Sequence, residues 1–167
     1  LSGLLAAACV LKWGAGYNAA VWFLFCAALI VVTFIDLKHQ IIPDVISLPG
    51  IVCGVLLSLV LDGPGLRSSL IGAALGGGSL FLIRCLYYAV TRQEGMGLGD
   101  VKLLAMMGAF LGWKSILFII MAASFSGALL GIAVMIIKKK DGRYAIPFGP
   151  FLSLGAICYL FYGQEMI

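Results

Sequence analysis

Long runs of apolar residues separated by short polar segments make up most of the 167-residue chain. A helix needs about 20 residues to cross the hydrocarbon core of a bilayer. Five runs approach or exceed that length with at most one charge each: 17–35, 45–61, 68–91, 115–137 and 145–163. Two further apolar stretches, 1–11 and 101–111, are about half a span. The pattern therefore predicts an all-α fold, a polytopic bundle of about seven membrane segments.

The composition supports a membrane environment. Hydrophobic residues make up 63% of the chain and charged residues 11%, and the mean hydropathy is +1.15. Soluble domains have about 45–50% apolar and about 25% charged residues, so a soluble globular fold is excluded. The lipid bilayer is the predicted partner. The net charge of +4 does not indicate a nucleic-acid partner, because four of the basic residues form one juxtamembrane cluster, at Lys138, Lys139, Lys140 and Arg143.

The distribution of basic residues predicts how the bundle is oriented. If seven segments alternate, the loops on one side carry seven basic residues, at Lys38, Arg92, Lys102, Lys138, Lys139, Lys140 and Arg143. The loops on the other side carry three, at Lys12, Arg67 and Lys114. The positive-inside rule places the first set in the cytoplasm. All linkers are short, so residues 1–167 are expected to form a single membrane-embedded domain.

Three of the seven acidic residues stand at the ends of apolar runs. Asp36 directly follows the 17–35 run, Asp44 precedes the 45–61 run, and Asp100 opens the short 101–111 stretch. A charge at the membrane boundary is costly, so each is a candidate functional residue. Each also has a structural explanation, because Asp44 and Asp100 suit helix N-caps and Asp36 could pair with Lys38 or His39. The other acids are expected in solvated loops, at Asp62, Glu94, Asp141 and Glu165.

Two short motifs contain these acids. The first is D-x-x-x-x-x-I-P-D, from Asp36 to Asp44, and the second is G-x-G-D-x-K, from Gly97 to Lys102. The combination resembles the type IV prepilin peptidase family, membrane aspartic proteases of bacteria that process pilin-like and type II secretion precursors. The resemblance extends over essentially the whole chain. It implies that Asp36 and Asp100 are the catalytic pair. Asp44 suits a helix cap better than a member of this pair, so we leave it outside the pair.

The chemistry of such a pair explains why two carboxyls are needed. When two carboxyls share one proton, the ionised member can take a proton from water while the protonated member polarises the scissile carbonyl. No metal is required, and five dispersed cysteines with the single His39 offer no zinc site. The peptidase reaction is therefore expected to need no cofactor.

Gly97, Gly99 and Lys102, which lie beside Asp100, and Asp44 of the first motif are expected to position the substrate or the loop. Gly97 and Gly99 lack Cβ atoms and would let an extended substrate approach closely, although they also suit an ordinary loop before a helix. Lys102 would stabilise the charged form of a nearby catalytic carboxylate, or alternatively extend its ammonium to the membrane interface.

Larger members of the family carry a further N-terminal helix and a cytoplasmic loop with two C-x-x-C pairs. They are associated with methylation of the new N-terminus from S-adenosylmethionine. Neither feature occurs here, so we expect this chain to be the peptidase part, with S-adenosylmethionine relevant only to a full-length protein.

The expected function is therefore cleavage of leader peptides from type IV prepilins and pseudopilins at the cytoplasmic face of the bacterial inner membrane. Another G-x-G-D intramembrane protease is an alternative, but presenilin-like enzymes carry a Tyr-Asp pair where Ile35 precedes Asp36 here. A proton-coupled transporter that uses Asp36 and Asp100 as a relay is an alternative from a different class. The particular precursor and the oligomeric state stay open.

Overall fold

The structure is a computed structural model that describes residues 2–60, 63–93, 96–138 and 147–163. Within these ranges the regular structure is helical, which confirms the predicted all-α fold. The described chain forms seven helices, one for each predicted segment: α1 (Ser2–Trp13), α2 (Tyr17–His39), α3 (Asp44–Leu57), α4 (Gly65–Thr91), α5 (Leu98–Leu111), α6 (Trp113–Lys138) and α7 (Gly149–Tyr162).

Some residues used in the sequence predictions lie outside the described residues. They are Asp62, Glu94, Asp141, Glu165, Lys139, Lys140 and Arg143, together with the side chain of Lys138. The solvated positions of these four acids and the cytoplasmic basic cluster therefore stay predictions.

The helices differ in length more than the apolar runs suggested. Among the described helices, α2, α4 and α6 are long and apolar enough to cross a membrane. The helices α3 and α7 have 14 residues each, or about 21 Å, which is less than the roughly 30 Å of the hydrocarbon core. α3 ends at Leu57 and gives way to turns, whereas α7 begins at Gly149 with Pro150 in its first turn, where proline is tolerated.

The short helix α5 occupies the centre of the bundle. It packs mainly against α4 and α3 and also contacts α6 and α7. Ten of its 14 residues are buried, from Val101 to Leu111 with the exception of Lys102. A helix that is apolar on all sides has no solvent-facing stripe, so its composition alone suits a buried position.

Small residues allow α4 and α5 to approach closely. Gly72 and Gly108 face each other backbone to backbone, and a Cβ on Gly76 would lie 2.5 Å from the carbonyl oxygen of Leu104. The hydroxyl of Ser69 donates a hydrogen bond of 2.5 Å to the carbonyl oxygen of Ala109. Small residues spaced four apart are a common means of packing helices in membranes. This contact fixes α5 firmly in the bundle.

The helix α2 is held against the same core by aromatic rings. The rings of Phe25 in α2 and Phe110 in α5 have centroids 4.6 Å apart, and Trp22 contacts both rings. α2 also packs against α1 and α7. The C-terminal end of α2 and the N-terminal ends of α3, α5 and α7 therefore meet at one end of the bundle.

Candidate active site

Asp36 and Asp100 line one cavity at this end of the bundle. The cavity has a volume of about 490 Å³ and is bounded by Asp36, the segment from Gln40 to Asp44, the turn from Gly97 to Asp100, and Lys102. The two carboxyls are 64 positions apart in the sequence. The helix ends described above place both residues on the lining of this cavity. The structure thus brings together the acids of the two motifs.

Asp36 is buried and its carboxylate is held by the backbone of α7. It lies in the last turn of α2 with 4% of its surface exposed. Its Oδ2 accepts a hydrogen bond of 3.1 Å from the backbone N–H of Gly149. Gly149 is the first residue of α7, and the first N–H groups of a helix have no partner within the helix. Asp36 supplies that partner, and the hydrogen bond fixes the direction of its carboxylate.

The sequence offered an alternative role for Asp36, an ion pair with Lys38 or His39, and the described residues do not form it. Lys38 and His39 follow Asp36 in the last turn of α2 and are exposed. Among the described residues, no ion pair joins either of them to Asp36. The helix geometry directs Asp36 into the bundle, where it meets the backbone of α7.

Asp100 is the third residue of α5 and is partly buried at the cavity. The residue that caps α5 is Gly97, which has the extended backbone of an N-cap, with φ −71° and ψ 149°. Asp100 is already helical, and no side chain caps this helix. The interpretation of Asp100 as an N-cap is therefore wrong, and its carboxyl is available to the cavity.

Asp44 is also not a helix cap. Pro43 occupies the N-cap position of α3, and Asp44 is the first helical residue, without a side-chain capping hydrogen bond. Both carboxylate oxygens of Asp44 instead contact the ammonium of Lys102, at 2.8 Å and 2.7 Å. The prediction that Asp44 caps the span that begins at Val45 is wrong, because its side chain turns across the cavity to Lys102 of α5.

Lys102 lines the cavity, but its ammonium pairs with Asp44 and not with Asp36 or Asp100. The sequence predicted either an interaction with a catalytic carboxylate or an extension to the interface. The side chain is 31% exposed and that of Asp44 is 55% exposed, so the pair lies at the mouth of the cavity.

Ile42 joins the segments that carry the two acids, and the sequence reasoning missed this residue. Ile42 is buried, and a Cβ on Gly99 would lie 2.8 Å from the Cβ of Ile42. A Cβ on Gly149 would lie 3.3 Å from the same side chain. Ile42 thus packs between the turn before Asp100 and the start of α7. The apolar pair Ile41–Ile42 in a short loop between two charged segments was the available signal.

The two glycines before Asp100 therefore differ in their environment. Gly99 has no room for a Cβ because Ile42 packs against it. Gly97 has more space, since the nearest atom to its Cβ would be Oδ2 of Asp100 at 3.8 Å. The lack of a side chain at Gly99 is needed for packing within the protein, whereas at Gly97 it leaves the approach to Asp100 open.

Gly149 is the second residue that the sequence reasoning missed. A Cβ there would lie 2.6 Å from Oδ2 of Asp36, so only glycine allows this backbone N–H to reach the carboxylate. Its position 113 residues from Asp36 offers no spacing signal. A glycine before Pro150 at the start of an apolar run was the available sequence hint.

The donor groups near the cavity do not suit a metal ion. Within the described ranges, no three His, Cys, Asp or Glu residues form a group that could hold one. The carboxylate of Asp44, which would be the third acid, is directed to Lys102.

Residues 23–132 match the type IV leader peptidase family. The chain is similar to the prepilin leader peptidase/N-methyltransferase of Xanthomonas campestris pv. campestris, with 35% identity over 167 residues that cover all of this chain and 58% of that protein. The protein of the same name from Aeromonas hydrophila is 32% identical over 99% of this chain and 57% of its own length. That from Pseudomonas aeruginosa is 34% identical over 92% of this chain and 53% of its own length.

The chain thus spans a little over half the length of these curated relatives. No solved structure matches the chain.

Proposed function

Because the chain belongs to the type IV leader peptidase family, we propose that it is an aspartic endopeptidase whose catalytic residues are Asp36 and Asp100. The observation that carries this proposal is the placement of both acids in one cavity, with Asp36 held by the backbone of α7. Residues 1–167 would form a single membrane-embedded peptidase domain.

The geometry suits hydrolysis by a water molecule between two carboxyls. The ionised carboxyl takes a proton from water, and the protonated carboxyl donates a hydrogen bond to the oxygen of the scissile carbonyl. The oxygen of water attacks the carbonyl carbon to give a tetrahedral intermediate. A proton then passes to the amide nitrogen, the C–N bond breaks, and the new amine leaves. Both carboxyls return to a shared-proton state.

The substrate class follows from the relatives. The relatives are named prepilin leader peptidases, so the proposed substrates are precursors of type IV pilins and of the pseudopilins of type II secretion. The family match supports this reading over a proton-coupled transporter. Within the family's chemistry, the Ile35–Asp36 pair and the I-P-D sequence distinguish the chain from presenilin-like G-x-G-D proteases.

The cavity is proposed to open at the cytoplasmic face of the bacterial inner membrane. Lys38, Arg92 and Lys102 stand at the cavity end of α2, α4 and α5. Lys12 and Arg67 stand at the opposite end of the bundle, and this side has fewer basic residues in the sequence. The positive-inside rule therefore favours a cytoplasmic cavity.

The name of the relatives includes a second activity, methyl transfer. The described residues contain no site of the common nucleotide-binding type for the methyl donor. These residues form helices, with no strand that leads through a glycine-rich loop into a helix, the arrangement of many nucleotide sites. We assign the cavity at Asp36 and Asp100 to the peptidase reaction. S-adenosylmethionine is proposed as a methyl donor for a full-length protein, because the relatives are named N-methyltransferases.

A cleavage assay tests the proposed function. The purified protein in lipid nanodiscs is mixed with a purified pilin precursor or pseudopilin precursor, and the products are identified by mass spectrometry. We expect a single cut between leader and mature sequence by the wild-type protein and none by Asp100→Asn. A folded wild-type protein that cleaves neither precursor would contradict the proposal.

A further inference from the structure

Lys102 is a cation that lines the mouth of the cavity where the two proposed catalytic acids lie. It follows Asp100 by two positions in α5, and a lysine side chain has a long flexible stem and three ammonium donors. In the structure this ammonium is bound to both carboxylate oxygens of Asp44. Asp44 therefore determines where the positive charge lies.

The position of this charge matters for a pair of acids that share one proton. A nearby positive charge favours the ionised form of a carboxyl, and a nearby negative charge favours the protonated form. An unpaired ammonium in the cavity would promote loss of the shared proton. When Lys102 is bound to Asp44, the opposite charges largely cancel at the distance of Asp36 and Asp100.

Within the described part of the chain, the charged residues that line the cavity besides Asp36 and Asp100 are Lys102 and Asp44. Lys38 and His39 of α2 and Arg84 and Arg92 of α4 do not line the cavity. The sequence of α7 contains no acidic or basic residue, and its titratable side chains, Cys158, Tyr159 and Tyr162, lie far along the helix from Gly149. Lys114 of α6 follows the opposite end of α5.

A role in stability alone explains the pair poorly. Both side chains are partly exposed, and ion pairs accessible to water contribute little to stability. The carboxylate of Asp44 also caps no helix. Its position is nevertheless well defined, because buried Ile42 packs two residues before it against Gly99.

We propose that Asp44 is a positioning residue that binds the Lys102 ammonium and thereby keeps the shared proton on the Asp36–Asp100 pair. This inference rests on the proposed function for the assignment of the two acids. It extends that function because Asp44 and Lys102 then set the charge that acts on the two acids. Asp44 itself does not contact the reacting atoms.

The test compares pH profiles of cleavage for three variants and the wild type, using the intact protein in nanodiscs. Asp44→Asn should shift both limbs of the profile to lower pH, because the ammonium is released. Lys102→Met should shift both limbs to higher pH, because the carboxylate of Asp44 is left unpaired. Each shift should be about 0.5–1 pH unit for a charge a few ångströms beyond contact.

The double variant Asp44→Asn/Lys102→Met removes both charges and should return the limbs to the wild-type positions. Asp44→Glu keeps the pair and should also retain the wild-type profile. If the pair only fastened α3 to α5, the variants would lose thermal stability or turnover without moving the limbs, and the double variant would not recover. Either of those results would overturn the proposal.

A second measurement does not depend on cleavage. Infrared titration of the nanodisc protein follows the carbonyl stretch of protonated carboxyls, and its loss in Asp100→Asn assigns the signal. The midpoints should shift in the same directions as the limbs. A wild-type protein without cleavage but with these shifts would contradict the proposed function alone. Cleavage with unmoved midpoints would contradict the positioning role alone.

Discussion

The two candidate catalytic residues are held in different ways. Asp36 is buried in the last turn of α2 and is bound by the N–H of Gly149. Asp100 stands in the first turn of α5 beside the open turn of Gly97. Asp36 is thus fixed in direction by the protein, whereas Asp100 faces the space where a substrate carbonyl would enter. The proposed mechanism uses both groups, one as acid and one as base, at a single bond.

Replacing either acid by its amide should abolish cleavage. Asp36→Asn and Asp100→Asn each remove a group that exchanges a proton, and general acid–base catalysis contributes about 10²–10⁴-fold. The measurement is the rate of precursor cleavage by folded protein. Asp62→Asn is the matched control, because Asp62 is predicted in a solvated loop on the other side of the membrane. Near-full activity of either site variant would exclude that residue from the pair.

The cleavage rate should depend on pH in a bell shape. The acidic limb reports protonation of both carboxyls and the alkaline limb reports ionisation of both, so each limb belongs to the pair and not to one residue. Rates measured from acid to alkaline pH, with folding monitored by circular dichroism, check this expectation. A flat profile over that range would argue against a shared proton.

Gly149→Ala should damage the site while leaving the bundle intact. The new methyl group would lie 2.6 Å from Oδ2 of Asp36 and must displace that carboxylate. A misplacement of about 1 Å in a catalytic group can cost about 10²-fold in rate. Cleavage and thermal unfolding are measured together. Gly78→Ala is the control, because a Cβ there meets no atom within 4 Å; equal activity of the two variants would contradict this role.

At the scale of helices, the close contact between α4 and α5 holds in place the helix that carries Asp100. α5 carries Asp100 at its N-terminal end, and its backbone is fixed where Gly72 of α4 meets Gly108. Backbone groups cannot move aside as a flexible side chain can. Any side chain at this contact must therefore push the two helices apart.

Gly72→Ala should destabilise the protein. Its Cβ would collide with the backbone of Gly108 and Gly112, and overpacking of this kind costs about 1–3 kcal/mol. Gly78→Ala on the same helix meets no neighbour and should be neutral or stabilising, since alanine favours a helix by about 1 kcal/mol over glycine. Unfolding midpoints in detergent would compare the two. Equal midpoints would show that α4 can shift without cost.

At the scale of the whole molecule, the central helix α5 separates two faces with different roles. The cavity lies at its N-terminal end, and Lys114 follows its C-terminal end, where the side chain is exposed. With 14 residues, α5 spans about 21 Å, so the cavity can lie below the membrane surface on one side. The orientation of this axis decides which compartment supplies the substrate.

Cysteine labelling can determine that orientation. His39→Cys at the exposed end of α2 should react with a membrane-impermeant maleimide from the cytoplasmic side. Lys114→Cys should react from the opposite side. Both positions are exposed, and labelling is compared with the parent protein, which has its own exposed cysteines Cys53 and Cys85. The reverse pattern would place the cavity on the exported face and contradict the proposed cytoplasmic site.

The sequence by itself determined the helical segments and the end of the bundle at which the acids lie. Apolar runs need an environment free of water, and apart from Arg84 the charges interrupt them only at their ends, so local composition is enough to locate seven helices. The alternation of segments then places Asp36, Asp44 and Asp100 at one face. Helix lengths were less well predicted, because prolines and turns shortened α3 and α7 within their apolar runs.

Only the tertiary structure decided how the residues of the cavity are paired. The hydrogen bond from Gly149 to Asp36 joins residues 113 positions apart, and the pair of Lys102 and Asp44 joins residues 58 positions apart. Ile42 also packs against two segments that are distant from each other in sequence, at Gly99 and Gly149. Such partners depend on how α5 sits among α3, α4 and α7, and packing of this kind leaves no periodic trace in the chain.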